Sequence, residues 1–171
     1  MTLRLELADA ADAPALLGLR EAAAAWLAAG GVRQWEPGEV GVDDVRAQAA
    51  AGEWHVLREG ADPVAALRLL WRDEEVWGPQ PPTAAYVHGL VVDRREAGRG
   101  LGAGLLRWAE DQARAAGRVL LRLDCGEDNA ELRRYYAEQA SGWSASGPSA
   151  TTGTTSSCSR RTWESSGRMP A

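Results

Sequence analysis

Residues 95–108 read REAGRGLGAGLLRW, and Gly98, Gly100, Gly102 and Gly104 alternate through them into an apolar, helix-like pattern. A glycine inside a helix costs roughly 0.5–1 kcal/mol relative to alanine. A bare backbone must therefore serve some purpose here. The first amides of a helix have no partner within it, and the helix dipole favours an anion at that end. The amides of Gly98, Arg99, Gly100, Leu101, Gly102 and Ala103 would accordingly cradle a diphosphate, with no Cβ in the way. The structural alternative is a Gly-rich turn packed closely on a sheet.

Gly98, Gly100 and Ala103 also fit G-x-G-x-x-A, the dinucleotide-binding fingerprint, and Asp124 follows the next apolar run where a ribose-binding acid would belong. Two features oppose that reading. The segment DRREA separates Val92 from Gly98, and too little α/β chain follows to finish such a sheet. The chain has no lysine, which excludes a G-x-x-x-x-G-K-[ST] phosphate loop and Schiff-base chemistry.

The elements that hold this turn follow from periodicity. LRLELA alternates as a strand, and Asp9 or Asp12 caps the helix after it, with Pro14 in its first turn. ALLGLREAAAAWLAA is helical and stops at Gly30 and Gly31. GVDDVRAQAAAG is a short helix capped around Asp43. EWHVLREG and DPVAALRLLWRDEEVWG read as strands joined by a turn, and TAAYVHGLVVD as another. Beyond the glycines, Leu101, Leu105, Trp108, Ala109, Gln112 and Ala116 recur at helical spacing up to Gly117. RVLLRLDC is a buried-looking strand, and EDNAELRRYYAEQ is a helix begun by Asp128 or Asn129. The order β-α-α-β-β-β-α-β-α is a mixed α/β layer fold.

The 171 residues suit one domain with a sizeable core. The formal net charge is −5 and no basic cluster stands out, so nucleic acid and membrane surfaces are poor partners. Cys125 and Cys158 are the two cysteines, and neither belongs to a C-x-x-C pair, so no metal site or disulfide framework is indicated. No signal peptide or membrane span is read, and a cytoplasmic location is expected.

VHGLVVDRREAGRGLGAGLL followed by LRLDCGEDNAELRRYY resembles the GNAT superfamily of N-acetyltransferases, which bind acetyl-coenzyme A. The turn matches R/Q-x-x-G-x-G/A, and Asn129 and Tyr136 match the N-x-x-x-x-x-x-Y of the following helix. The match is strong over residues 86–139 and runs by element order from Thr2. It implies a central mixed sheet flanked by helices, with the strand before the glycines splayed from its neighbour. The backbone of Leu90, Val91 and Val92 would then pair with the pantetheine arm. Residues 98–103 would hold the pyrophosphate, Asn129 would bond the arm or an ordered water, and Tyr136 would protonate the leaving thiolate. A phenol, with a pKa of about 10, still holds that proton at neutral pH. Two residues are candidates for the base that deprotonates the amine, Asp124 and His88, with ordered water or no dedicated base as the third option.

The resemblance implies acetyl transfer to a primary amine of a small molecule or peptide, in a ternary complex, with no metal; a homodimer is left open. Trp35, Glu36, Glu39, Asp43 and Asp44, with Asp73, Glu74, Glu75 and Trp77, would give the acceptor pocket aromatic walls and carboxylates suited to an alkyl or sugar amine. Two departures stand out. Ala97 replaces the Arg or Gln that opens the family's turn. After Gln139 the chain becomes Ser-, Thr- and Gly-rich, so residues 1–139 form the expected domain and 140–171 an atypical tail in place of the C-terminal strands. A GC-rich gene read out of frame would produce such a tail, which sequencing across the codons for Tyr136 to Trp143 tests. The alternative function is an acyl-CoA-binding module whose catalysis is weak or absent.

Overall fold

The computed structural model describes residues 2–123, 125, 129–139 and 163–164. Its elements run β1 (Leu3–Leu7), α1 (Ala13–Ala29), α2 (Val42–Ala50), β2 (Trp54–Glu59), β3 (Asp62–Leu70), α3 (Glu74–Trp77), β4 (Ala84–Val92), α4 (Leu101–Ala115), β5 (Leu120–Leu123), α5 (Ala130–Gln139) and β6 (Trp163–Glu164). This is the expected mixed α/β order with two additions, the single turn α3 and the two-residue β6. The boundary expected at residue 139 and the tail beyond it fall outside the described residues, apart from β6.

The strands lie side by side in chain order. β1 to β4 are antiparallel neighbours. β5 runs parallel to β4, because α4 carries the chain back across the sheet between them. β6 then pairs antiparallel with β5, Leu123 opposite Trp163.

Each face of the sheet is covered. Ala65, Leu67 and Leu69 of β3 point one way and pack with Leu105, Leu106 and Ala109 of α4. Ala66 and Val56 point the other way and pack with Leu16 of α1 and Val45 of α2. Burying a leucine fully is worth about 1.5–3 kcal/mol, so these two layers dominate stability. The buried stripe of α4 is Leu101, Leu105, Leu106, Ala109 and Ala113. It sits slightly to one side of the expected stripe: Ala116 is exposed and Trp108 only partly buried, because α4 leans its Leu106 edge onto the sheet.

Several local expectations need correction. The strand read through Trp77 ends at Leu70. Asp73 accepts a hydrogen bond from Val76 N at 3.3 Å and starts α3 instead, so the apolar Val76 and Trp77 belong to a helical turn. At α2 it is the Asp44 carboxylate, not Asp43, that accepts the Gly41 amide, at 2.9 Å. The two expected caps close a 3-10 turn, Ala10–Asp12, that leads into α1, and Asp12 makes no side-chain cap bond to α1 itself. Asp9 accepts from Ala11 N at 2.7 Å, and Asp12 accepts from Asp9 N at 3.0 Å. Among the described residues no helix is long and apolar enough to cross a membrane.

The feature that shapes the site is a bulge in β4. Ala66 pairs with Val91 and Arg68 with His88, so Gly89 and Leu90 together oppose Leu67. Gly89 takes φ +58°, and a Cβ there would lie 2.8 Å from Cη2 of Trp54. Glycine is thus required twice over, for its left-handed backbone and for the close approach of an indole. The extra residue inverts the alternation of the strand. Before it Ala85 and Val87 face α4, and after it Val91 faces α1.

Candidate active site

Pairing between β4 and β5 begins at Ala84 opposite Leu120 and ends at Val87 opposite Leu123. β4 continues through residues 88–92 paired with β3. Residues 88–92 of β4 thus run on past the last described pair with β5. A cleft of about 1140 Å³ opens there. Residues 87–92 form one wall, and Asn129, Leu132, Tyr135 and Tyr136 of the α5 region form the other. Leu90, Val91, Val92, His88, Asn129 and Tyr136, all named from sequence, thus meet around one space.

The glycine turn stands at the end of that wall. Asp93 accepts from Arg95 N at 2.9 Å and starts a short 3-10 turn, Arg94–Glu96, before the glycines. Gly98 has φ +82° and Gly100 φ +72°, the left-handed region that suits glycine. Gly100 caps α4, and its carbonyl accepts the first helical bond, from Gly104 N at 3.0 Å. The amides of Leu101, Gly102 and Ala103 precede that bond and have no carbonyl within the helix. Gly102 has a different reason to be bare: a Cβ there would sit 2.9 Å from the Tyr135 hydroxyl. At Gly104 a Cβ would meet nothing within 4 Å. The Arg99 guanidinium is held by Glu59, at 3.1 Å, and by Glu96, both of which raise its pKa, and the Arg99 amide donates to the Glu96 carbonyl at 3.3 Å, so of the expected cradle this amide is already engaged. Residues 98–103 do not themselves line the cleft, whose lining on this side ends at Val92 and Arg94.

Asn129 is 5% exposed. Its Oδ1 caps α5 by accepting from Leu132 N at 3.0 Å, and its Nδ2 donates to Gln34 Oε1 at 3.1 Å. The side-chain amide has a second N–H to offer. Tyr136 is buried with its ring 5.9 Å from that of Tyr135. Burial raises the Tyr135 pKa, with the charge of Arg107 opposing, which keeps that phenol protonated at neutral pH. His88 Nε2 lies 2.8 Å from Asp73 Oδ2, and both side chains are largely buried. Asp124 lies outside the described residues.

The far end of the cleft is built from side chains. Arg20, on the buried face of α1, bonds Glu39 at 2.6 Å and Glu21 at 3.2 Å and lies 5.2 Å from the centre of the Trp35 ring. Trp54 donates to Gln48 at 3.0 Å. Of the expected acceptor residues, Trp35, Glu36 and Glu39 line the cleft. Asp43 pairs with Arg46 and Asp44 caps α2, so those two serve the helix. Trp77 stacks on Tyr86, 5.7 Å between centroids, and Glu74 and Glu75 form the first turn of α3; none of the three lines the cleft. Sequence reasoning missed Arg20, although the signal was present: a lone arginine in the stripe Ala13, Leu16, Arg20, Ala24 of α1. It also missed Gln34, which nothing local marks. Among the described residues no group of three or more His, Cys, Asp or Glu side chains is placed to hold a metal ion.

A family model described as the acetyltransferase (GNAT) family matches residues 20–143. The chain is 34% identical over 133 residues to the uncharacterised N-acetyltransferase YesJ of Bacillus subtilis, covering 73% of each protein. A GNAT-family acetyltransferase from Listeria monocytogenes has a similar structure, with TM-score 0.73 at 20% identity over 96% of this chain and 94% of that one. So does yncA of Salmonella typhimurium, solved with its cofactor acetyl-CoA, with TM-score 0.70 at 18% identity over 100% and 97%. These two structural likenesses concern the fold.

Proposed function

The chain belongs to the acetyltransferase (GNAT) family and is an N-acetyltransferase, and from that premise we propose that it transfers the acetyl group of acetyl-CoA to a primary amine of a small molecule or peptide by direct attack in a ternary complex. The observation that supports this most is the cleft of about 1140 Å³ that residues 87–92 of β4 line from one side and Asn129, Leu132, Tyr135 and Tyr136 from the other. An extended pantetheine arm fits along that stretch of β4 as an added strand would. The amides of Gly98 and of residues 100–103 suit its diphosphate, and the missing side chains at Gly98, Gly100 and Gly104 leave room for close approach.

When bound, acetyl-CoA supplies a thioester carbonyl that an amine can attack. Tyr136 holds a proton for the departing sulfur, and its burial keeps water from that exchange. Tyr135 is the neighbouring alternative, since its hydroxyl lies at the glycine turn and burial keeps it protonated. His88 takes the proton of the amine, oriented by Asp73 at 2.8 Å; Asp124 is the other candidate for that role. Arg20, Trp35 and Glu39 hold the acceptor.

A second reading, a chain that binds acetyl-CoA but turns over weakly, is favoured by the sequence after Gln139, whose Ser-, Thr- and Gly-rich composition departs from the family's C-terminal strands. The test is the release of free CoA thiol from acetyl-CoA across a panel of amines, with Tyr136→Phe as control. Amine-dependent release that the variant loses supports the enzyme. Tight CoA binding with no amine-dependent release from any member selects the second reading.

A further inference from the structure

We propose that Arg94, set in place by Trp26, binds the phosphate groups of the acyl-CoA; this rests on the acetyl-CoA reading of the cleft. Helix amides offer only partial positive charge, and a CoA diphosphate with its 3′-phosphate calls for full cations. The chain has no lysine, so arginine must supply them. Three arginines, Arg94, Arg95 and Arg99, lie between the end of β4 and the start of α4. Two are already engaged. Arg95 is gripped by Asp93, Nη2 to Oδ2 at 2.6 Å and Nε to both oxygens at 3.1 Å. Arg99 is held by Glu59 and Glu96, and none of the three lines the cleft.

Arg94 differs. Among the described residues no carboxylate pairs with it. Its guanidinium carbon lies 3.7 Å from the centre of the Trp26 ring, and both residues line the cleft. A contact with the ring face uses none of the five N–H donors of the guanidinium. It does restrict a side chain that would otherwise sample many rotamers, so less freedom is lost when a ligand binds. The arrangement also accounts for Trp26, a residue of α1 left 49% exposed. Its indole acts as a shelf for a cation placed between Val92 and the glycine turn. Trp26 is a positioning residue, and Arg94 is the one that meets the ligand.

Calorimetry with CoA, dephospho-CoA and pantetheine tests this on the full chain. Arg94→Gln should weaken CoA binding about tenfold and leave pantetheine unchanged. Trp26→Leu should weaken CoA about threefold, and Trp26→Phe, which keeps an aromatic face, should restore most of that. Arg95→Gln removes the same charge one residue away and should change nothing. Loss of the Arg94→Gln effect with dephospho-CoA assigns the guanidinium to the 3′-phosphate; persistence assigns it to the diphosphate, and both support the proposal. Equal CoA affinity in Arg94→Gln and the parent overturns it, as does an equal loss for pantetheine. Failure of the parent chain to bind CoA at all overturns the acetyl-CoA reading and this proposal with it.

Discussion

The two ends of the cleft are made of different material. The cofactor end is backbone: an inverted strand segment at residues 88–92 and a turn whose glycines take positive φ or admit a tyrosine hydroxyl. The acceptor end is side chain: Arg20 on Glu39, Trp35 against Arg20, Trp54 on Gln48, His88 on Asp73. A backbone surface recognises groups that do not vary, such as phosphates and an amide-bearing arm. A side-chain surface can be remade residue by residue without disturbing the sheet. The chain thus separates a fixed recognition task from a changeable one, with the proposed chemistry where they meet.

Variants can break this division or sharpen it. The largest effect belongs to the junction. Tyr136→Phe should lower kcat about 100-fold while CoA affinity stays within about twofold, since general acid catalysis contributes 10²–10⁴-fold. If Tyr135→Phe gives the larger loss instead, the proton donor is the ring at the glycine turn. At the cofactor end, Gly100→Ala forces a side chain into the left-handed region, where it costs roughly 1–2 kcal/mol. No neighbour crowds that position. Its melting point should fall and its CoA Kd rise several-fold, with KM for the amine unchanged.

At the acceptor end, Arg20→Met should do the converse. Amine KM should rise about fivefold with CoA Kd unchanged. The stability cost should be about 1 kcal/mol, because the half-exposed Glu39 can turn to water once its partner is gone. A matching loss of CoA affinity in Arg20→Met would mean that the two ends are not separable.

The smallest effect lies outside the cleft and serves as a check on the rest of the fold. His55, partly buried, packs on Trp108, 4.5 Å between ring centres. Burial holds its pKa below the ordinary 6.5, with a backbone hydrogen bond involving Glu53 opposing. The unfolded chain therefore takes up this proton first as pH drops. Stability from the neutral ring is complete above pH 6.5 and drains away as pH falls towards the folded pKa, by at most about 1.4 kcal/mol per pH unit for a single site. His55→Gln should flatten the dependence of melting point on pH below 6.5 and leave both Kd and KM untouched.

What the sequence revealed follows the same division. The glycine run is local, and a left-handed cap before a helix has few other solutions, so Gly98 and Gly100 could be read directly. The spacing of Asn129 and Tyr136 spans two turns of one helix and was equally legible. The bulge at Gly89 was not, because its cause is the Trp54 ring from another strand. Asn129 meets Gln34 across 95 positions, and Asp73 meets His88 from a separate turn, so no window of sequence contains either pair. The mistaken strand through Trp77 had the same origin. Two apolar residues after a strand looked like its continuation, while the aspartate that ends it was counted only as charge.

The claim beneath all of this is that the peptide N–H groups of the glycine turn and of β4 grip the cofactor. Amide chemical shifts and hydrogen exchange, recorded on the labelled chain as CoA is added, address it most directly. The amides of Gly98, Gly100, Leu101, Gly102 and Ala103 should shift and slow their exchange, together with those along residues 88–92, which line the cleft. Saturable CoA binding that leaves those amides unmoved, or shifts confined to the opposite edge at β1, would contradict the account.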